Sequence, residues 1–222
     1  MIRRRVGAIA LAVLVACTCG CAHLVDGAAT WPGARLERSI LTDTDFPAGV
    51  HYERIAEQPG EPDGRGGLPA MLSRPEGCSD GLTRVLAASA ERGAGSALKY
   101  VVSYDGVRMV FTVTSWPLDL EGLAAVADRC AAYKAYFDPS DEGIPITTTP
   151  IPAARPGVLA YRQTMRLGTV DNSVYSSFEN VGNAAVIGAA FPTPNPTIAV
   201  KATLPQTFLD AAARQADRLA AS

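Results

Sequence analysis

The sequence predicts an α+β fold: a twisted antiparallel sheet with helices packed mainly on one face, in a single domain over residues 38–222. Three observations carry this. Several runs alternate apolar and polar residues at the period of a strand. Two joins between such runs are two-residue turns, Asp105-Gly106 and Gly182-Asn183, a strong hairpin signal. Other stretches repeat apolar residues at helical spacing behind capping residues.

The elements follow in order. Residues 1–16 read as a signal peptide, with "MIRRR" and then an uncharged apolar run of 11 residues ending at Ala16. That run is too short to span a bilayer and has the length of a signal-peptide core. Residues 17–37 read as a lipidated N-terminus and tether. "ERSILTDTDFPAG" (37–49) reads as a short helix stopped at Pro47, and "GVHYERI" alternates as a strand. "EQPGEPDGRGGLP" (57–69) has no periodicity and reads as a loop. A helix follows Cys78, with Ser79 or Asp80 as N-cap and Leu82, Val85, Leu86 and Ala90 in its apolar stripe.

"ALKYVVSY" and "VRMVFTVTSW" flank Asp105-Gly106. Leu98, Tyr100, Val102 and Tyr104 share one strand face; Val107, Met109, Phe111 and Val113 share one face of the partner. "LDLEGLAAVADRCAAYKAYF" (118–137) reads as one helix capped by Asp119, with Leu120, Leu123, Val126, Ala127, Cys130 and Phe137 in line. "IPITTTP" is a short strand before a Pro-rich loop. "VLAYRQTMRL" and "SVYSSFENV" alternate, and "AAVIGAAF", apolar throughout, reads as a central strand. The chain closes in a helix that Thr203 caps, with Phe208, Leu209, Ala212, Ala216 and Leu219 on one face. The reading totals three main helices and about seven strands.

Composition narrows function. Without the three leading arginines the basic residues fall from 20 to 17 against 22 acidic, a net charge of −5. A mildly acidic domain with no basic run is a poor nucleic-acid binder. No second apolar run reaches the ~18 residues of a membrane helix.

Leu14-Val15-Ala16-Cys17 matches a bacterial lipobox: an aliphatic residue three places before the cysteine and a small one beside it. The match implies a diacylglyceryl group on Cys17 and cleavage before it. Palmitate-class acyl chains on one residue would anchor the chain at the outer face of the cell membrane. Cys21, after Thr18-Cys19-Gly20, is the alternative site. The C-x-C-x-C cluster lacks partners at structural-zinc spacing, with His23 and Asp26 the nearest, so no metal is assigned.

Export places the domain where disulfides persist. Cys78 and Cys130 are the two cysteines outside the N-terminal cluster. Each touches a predicted helix, and Cys130 lies on a buried stripe, so a structural disulfide is the first reading. A reactive thiol pair is the alternative; no C-x-x-C motif or neighbouring base supports it.

No catalytic constellation stands out. His51 is the one histidine beyond the tether, on a predicted strand, and no G-x-S-x-G, P-loop or H-E-x-x-H occurs. The carboxylates of "DTD" and "SDEG" read as caps and turns. "GRGG" at 64–67 neither follows a strand nor opens a helix. Nothing calls for a cofactor. Six aromatics on predicted strands or their ends, Tyr100, Tyr104, Trp116, Tyr161, Tyr175 and Phe178, are candidates to line a ligand groove; cross-strand packing is the alternative.

Several short motifs now align with a known family. They are the lipobox, Asp45-Phe46-Pro47-x-Gly49, Cys78 before a helix, Leu118-Asp119-Leu120 opening the helix toward Cys130, and "YRQ" at 161–163. Over residues 38–220 the chain resembles mycobacterial sensor-domain-type lipoproteins, which are similar to the extracellular domain of PknH-type Ser/Thr kinases. The resemblance implies an antiparallel sheet flanked by helices, a stapling disulfide, a cleft for a small ligand, and a surface-exposed envelope protein that is not an enzyme. This chain has one cysteine pair in its folded part where that family has two disulfides, and it has no kinase segment. A related resemblance is to small mycobacterial lipoproteins of PsbP-like fold, which implies binding to partner proteins. The expected function is therefore a lipid-anchored, non-catalytic sensor-like domain that takes a small molecule or lipid. The alternatives are an envelope adaptor for a partner protein and, third, a hydrolase.

Overall fold

The computed structural model describes residues 32–55, 71–90, 93, 95–153 and 155–222. The signal peptide, Cys17, Cys19, Cys21, residues 22–31 of the tether and the 57–69 loop lie outside the described residues.

Asp105-Gly106 forms the turn that the sequence predicts. Ala97–Tyr104 (β3) pairs with Gly106–Thr114 (β4), and Tyr104 and Val107 face each other across it. Gly106 has φ +98°, a backbone region that only glycine enters without strain. The same logic joins Val170–Val181 (β8) to Ala184–Thr193 (β9) across Gly182-Asn183. His51–Ile55 (β1), Ile144–Pro150 (β6) and Leu159–Leu167 (β7) are also where alternation places strands.

Two strands are additions to the sequence reading, Leu72–Arg74 (β2) and Ala132–Tyr136 (β5). One nine-stranded antiparallel sheet results, in the order β1-β3-β4-β9-β8-β7-β6-β5-β2. β9 sits next to the centre, as its apolar run demands.

β5 corrects the single helix read over 118–137. Leu120–Arg129 (α3) stops at Cys130, and Phe137 is 64% exposed. The residues after Cys130 satisfy a period of two as well as the helical one. Tyr133 and Ala135 are buried, Lys134 is exposed, and Thr148 N donates to Ala131 O at 2.8 Å. As a strand the segment buries Tyr133 and Ala135 on one face while its main-chain groups pair with β2 and β6. The helix start is as predicted: Asp119 accepts from Gly122 N at 2.8 Å.

The helices among the described residues divide between the two faces. Residues n and n+2 of a strand share a face, so the register assigns each side chain. Tyr100, Val102, Met109, Phe111, Val186 and Ala190 lie on one face beneath Pro32–Ser39 (α1) and Gln206–Ala220 (α4). Tyr161, Phe178 and Ala185 lie on the other, beneath Gly81–Ala88 (α2) and α3. The α+β class and the antiparallel sheet match the prediction. The one-sided placement of helices does not, because the two helix pairs cover opposite faces at opposite ends of a wide sheet.

α1 spans part of the stretch assigned to the tether, with Leu36 fully buried in the core. The predicted 37–49 helix is instead the end of α1 followed by a 3-10 turn at Asp43–Asp45. α4 begins at Gln206 with Pro205 at its N-cap; Thr203 contributes its carbonyl, which accepts from Thr207 N at 2.9 Å.

α4 holds the N-terminal segment with specific polar contacts. The buried Gln215 accepts from Leu41 N (3.0 Å) and donates to Ser39 O (2.8 Å), which satisfies two main-chain groups that packing would strand. Arg218 donates to the Asp45 carboxylate, which also accepts from the Thr42 amide and hydroxyl. Burial works to raise the Asp45 pKa, but the Thr42 and Arg218 hydrogen bonds together outweigh it and hold the carboxyl below its ordinary value. A depressed folded pKa contributes stability that is present above the unfolded value and lost as pH falls through the folded one. Asp45→Asn is therefore expected to lower stability at pH 7 by about 1 kcal/mol, with a smaller deficit at pH 3. Urea titrations at both pH values check this; an equal deficit at both would contradict it.

Tyr100 stacks on Tyr52 at 5.6 Å and Phe111 at 5.2 Å. Its hydroxyl is fully buried, has no hydrogen-bond partner among the described residues, and has its pKa pushed up by burial. An unpaired buried hydroxyl carries a desolvation cost of about 1 kcal/mol or more. Tyr100→Phe is thus expected to leave stability unchanged or to raise it by about 1 kcal/mol. A loss above that size in a urea melt would show that the hydroxyl has a partner.

Candidate functional site

The six candidate aromatics do not meet. Tyr100 and Tyr104 are buried in the core under α1 and α4, with Tyr175 half-buried against it. Tyr161 and Phe178 are buried in the core under α2 and α3, on the opposite face. Trp116 is buried in the loop before α3, its indole N–H without a partner among the described residues. Alternation along each strand separates them: Tyr175 and Phe178 are three apart on β8 and so point to opposite faces. They are packing residues and line no common groove.

A different set of residues builds a cleft. β6 ends at Pro150, and residues 151–153 and 155–158 lie between it and β7, tacked by Ile151 N donating to Ala160 O at 2.8 Å. The loop's one charged residue is Arg155. Its guanidinium reaches Glu179 on β8 at 2.9 Å, and on α4 it reaches Asp217 at 2.5 Å and Ala213 O at 3.2 Å. This clasp roofs a cleft of about 120 Å³ between the loop and α4. Pro152, Val158, Leu209 and Ala213 supply apolar wall. Ser177, Glu179, Gln206 and Asp210 supply polar groups. Gln206 donates to Asp210 at 2.7 Å, which fixes that carboxylate one turn into α4.

Glu179 is the electrostatic centre of the cleft. Its side chain is 12% exposed, and burial raises its pKa; Arg155 opposes the rise and Asp217 adds to it. The arrangement suits an apolar fragment with a hydrogen-bond donor or a cation at its tip. Glu179 and Asp210 are both carboxylates, but Glu179 is committed to Arg155. None of the cleft residues was singled out from sequence as a binding residue; Leu209 and Ala212 were read as part of the apolar stripe of the last helix. The available signal was Arg155, alone among the apolar and conformationally restricted residues of "IPAARPGV".

A more open depression of about 240 Å³ lies beside Val85, Ala88, Ser89 and Asp119, where the carboxylate is engaged as the α3 cap. His51 is exposed on the edge strand β1, opposite Ser103. Among the described residues, no group of three or more His, Cys, Asp or Glu side chains could hold a metal ion, and no helix is long and apolar enough to cross a membrane. Cys78 and Cys130 form the disulfide, with Cα atoms 5.5 Å apart.

No family model and no curated protein matches the chain. Among solved structures it is similar to an uncharacterized protein from Mycobacterium smegmatis, the Rv0999 ortholog. Identity is 14% and the TM-score 0.48, over 86% of this chain and 96% of that one. It is also similar to the extracellular domain of PknH from Mycobacterium tuberculosis. There identity is 11% and the TM-score 0.48, over 85% of this chain and 96% of that one. The second is a domain of the type that the short sequence motifs resemble.

Proposed function

We propose that this chain is an exported, lipid-anchored envelope protein whose folded domain binds a small ligand without transforming it. The cleft under the Arg155 clasp carries the reading. It is apolar along its walls, has a few convergent polar groups and contains a partly buried carboxylate with a raised pKa; at about 120 Å³ it is smaller than the ~300 Å³ of a usual small-molecule site and fits a fragment-sized group. The anchor is Cys17, with Cys21 as the alternative, and the disulfide fits a domain that works outside the reducing cytoplasm. Since Glu179 is paired with Arg155, its role is to position a ligand.

Native mass spectrometry of the full chain from its host tests both parts. The expected species begins at an acylated Cys17 and carries a retained ligand. Ala213→Trp, which fills the cleft from α4, is expected to remove the ligand while the thermal melt stays cooperative. An unmodified N-terminus would overturn the anchor. Undiminished ligand in Ala213→Trp would move the site elsewhere, and turnover on a broad hydrolase substrate panel would replace binding with catalysis.

A second reading, an adaptor for a partner protein, draws on Leu72 (51% exposed) and Phe137 (64% exposed) at the β2–β5 edge. Exposed apolar side chains grouped at one edge are a feature of protein contacts. Pull-down from envelope extract with Phe137→Ser as the control separates this reading from the first.

A further inference from the structure

A second surface stands apart from the cleft. The helices among the described residues leave half of one sheet face free of helix, across β7, β6, β5 and β2; at the β5 end of it the turn after β5 lies against the buried Tyr136 through Gly143. The register places Arg166, Pro145, Lys134 and Arg74 side by side in one row across these four strands. All four are exposed. The next rows hold Thr164 beside Thr147, then Arg162 beside Thr149, with Tyr175 next to Arg162 on β8. β2, β5, β6 and β7 thus give this face four cations and no carboxylate, in a chain whose net charge is −2. Asp171, across from Arg166, pairs with it at 2.8 Å; among the described residues no carboxylate forms an ion pair with the other three cations.

The pairing within that row opposes stability. Arg74 and Lys134 are direct cross-strand partners, and like charges directly opposite destabilise a sheet. Arg74 lies over the Tyr136 ring at 5.4 Å, and Lys134 turns to Glu142 O at 3.2 Å. Neither contact neutralises the charge. The turn after β5 carries Asp138, Asp141 and Glu142, which stay charged and border the row at Lys134; Asp138 accepts from Ser140, and Asp141 accepts from Asp138 N. A broken local rule of this kind marks a functional surface more often than a structural one.

We propose that this uncovered face binds an anionic polysaccharide. Its cations are spread and not pinched: Lys134 and Arg166 lie two strands apart, roughly 10 Å. A chain with repeated acid groups matches that spacing, and the intervening threonine hydroxyls and the half-buried Tyr175 suit sugar hydroxyls. An acidic peptide fits less well, since the face offers no apolar pocket for anchoring side chains. A bilayer fits less well too. Leu72 shares this face with Arg74, but exposed Leu167 and Val170 alternate with Arg166 and Asp171 and therefore point from the opposite face, so the cationic row lacks a continuous apolar border.

The full chain in mild detergent is run through gels containing polygalacturonate, with neutral dextran, polyglutamate and phosphatidylglycerol vesicles as separate probes. Retardation by polygalacturonate that weakens with salt, without retardation by dextran, is expected. Arg74→Gln/Lys134→Gln/Arg162→Gln is expected to weaken it about tenfold or more. A charge-matched control, Arg84→Gln/Arg108→Gln/Lys201→Gln on other surfaces, is expected to bind as the parent does. Lys134→Gln alone is expected to keep or raise the melting midpoint, which shows that lost binding is not lost folding. Equal weakening in the charge-matched control would overturn the proposal, as would polyglutamate or vesicle binding of equal strength, or no retardation by polygalacturonate. None of these outcomes depends on whether the cleft holds a ligand.

Discussion

Replacing Cys78 and Cys130 by serine is expected to cost about 4 kcal/mol in the chain-entropy model for a loop of this size. The bond spans 52 positions and ties the segment before α2 to the C-terminal end of α3. Both residues are buried, in a small cluster with Tyr133, Ala135 and Ile146. That cluster is separate from the larger core under α4, so neighbouring packing compensates little for the loss. The other ties of this segment are hydrogen bonds, most of them exposed or half-buried: Cys78 N and Ser79 N donate to Ser73 Oγ at 2.8 and 3.2 Å, Ser79 Oγ donates to Met71 O, Arg84 donates to Gly77 O at 2.9 Å, and Arg129 donates to Glu76 O at 3.0 Å and to Gly77 O at 3.5 Å. The β2 edge and α2 should therefore loosen first. Urea denaturation of the double variant, beside the parent with and without reductant, measures the effect. A deficit under about 1 kcal/mol would mean that α2 and α3 are held by their apolar contacts with Tyr161 and Phe178 instead. Burial also bears on the reactive-pair alternative, because a bonded pair shielded from solvent offers no thiolate to a substrate.

Legibility in the sequence tracked how locally each feature is determined. Asp105-Gly106 and Gly182-Asn183 fix two hairpins within a few residues, and both hairpins stand in the structure. Cys78 and Cys130 were paired because alternative partners were few. β2 and β5 were not legible: β2 is three residues long, and β5 carries a pattern that satisfies two periods at once. The face assignment of helices depends on strand order, which no local pattern encodes. The aromatic groove failed for the same reason, as did the cleft, whose members Arg155, Glu179 and Asp210 come from a loop, a strand and a helix distant in the chain. The row of Arg74, Lys134 and Arg166 likewise exists only once β2, β5, β6 and β7 are in register.

Phe208→Ala is expected to cost about 3–5 kcal/mol, because the ring fills the contact between α4 and the sheet and truncation leaves a cavity. Phe208 is fully buried and stacks on Phe111 at 5.9 Å, at the end of a ladder of rings that runs through Tyr100 to Tyr52. The site under it is shaped by Gly188 on β9. A methyl group there would sit 2.8 Å from the Phe208 ring and 2.8 Å from Ser177 Oγ, closer than real contacts allow. Glycine is thus required by the ring above it, where a strand otherwise disfavours it. Gly188→Ala alone is expected to cost about 1–3 kcal/mol through overpacking. The two losses should not add. In Gly188→Ala/Phe208→Ala the lost ring yields room for the new methyl group, so the double variant should be more stable than the sum of the single effects implies, by roughly 0.5–3 kcal/mol. Urea denaturation of the four proteins in this cycle gives the coupling directly. Strict additivity would show that the α4 contact adjusts freely at this point, and the packing account of how α4 is seated on the sheet would then fail.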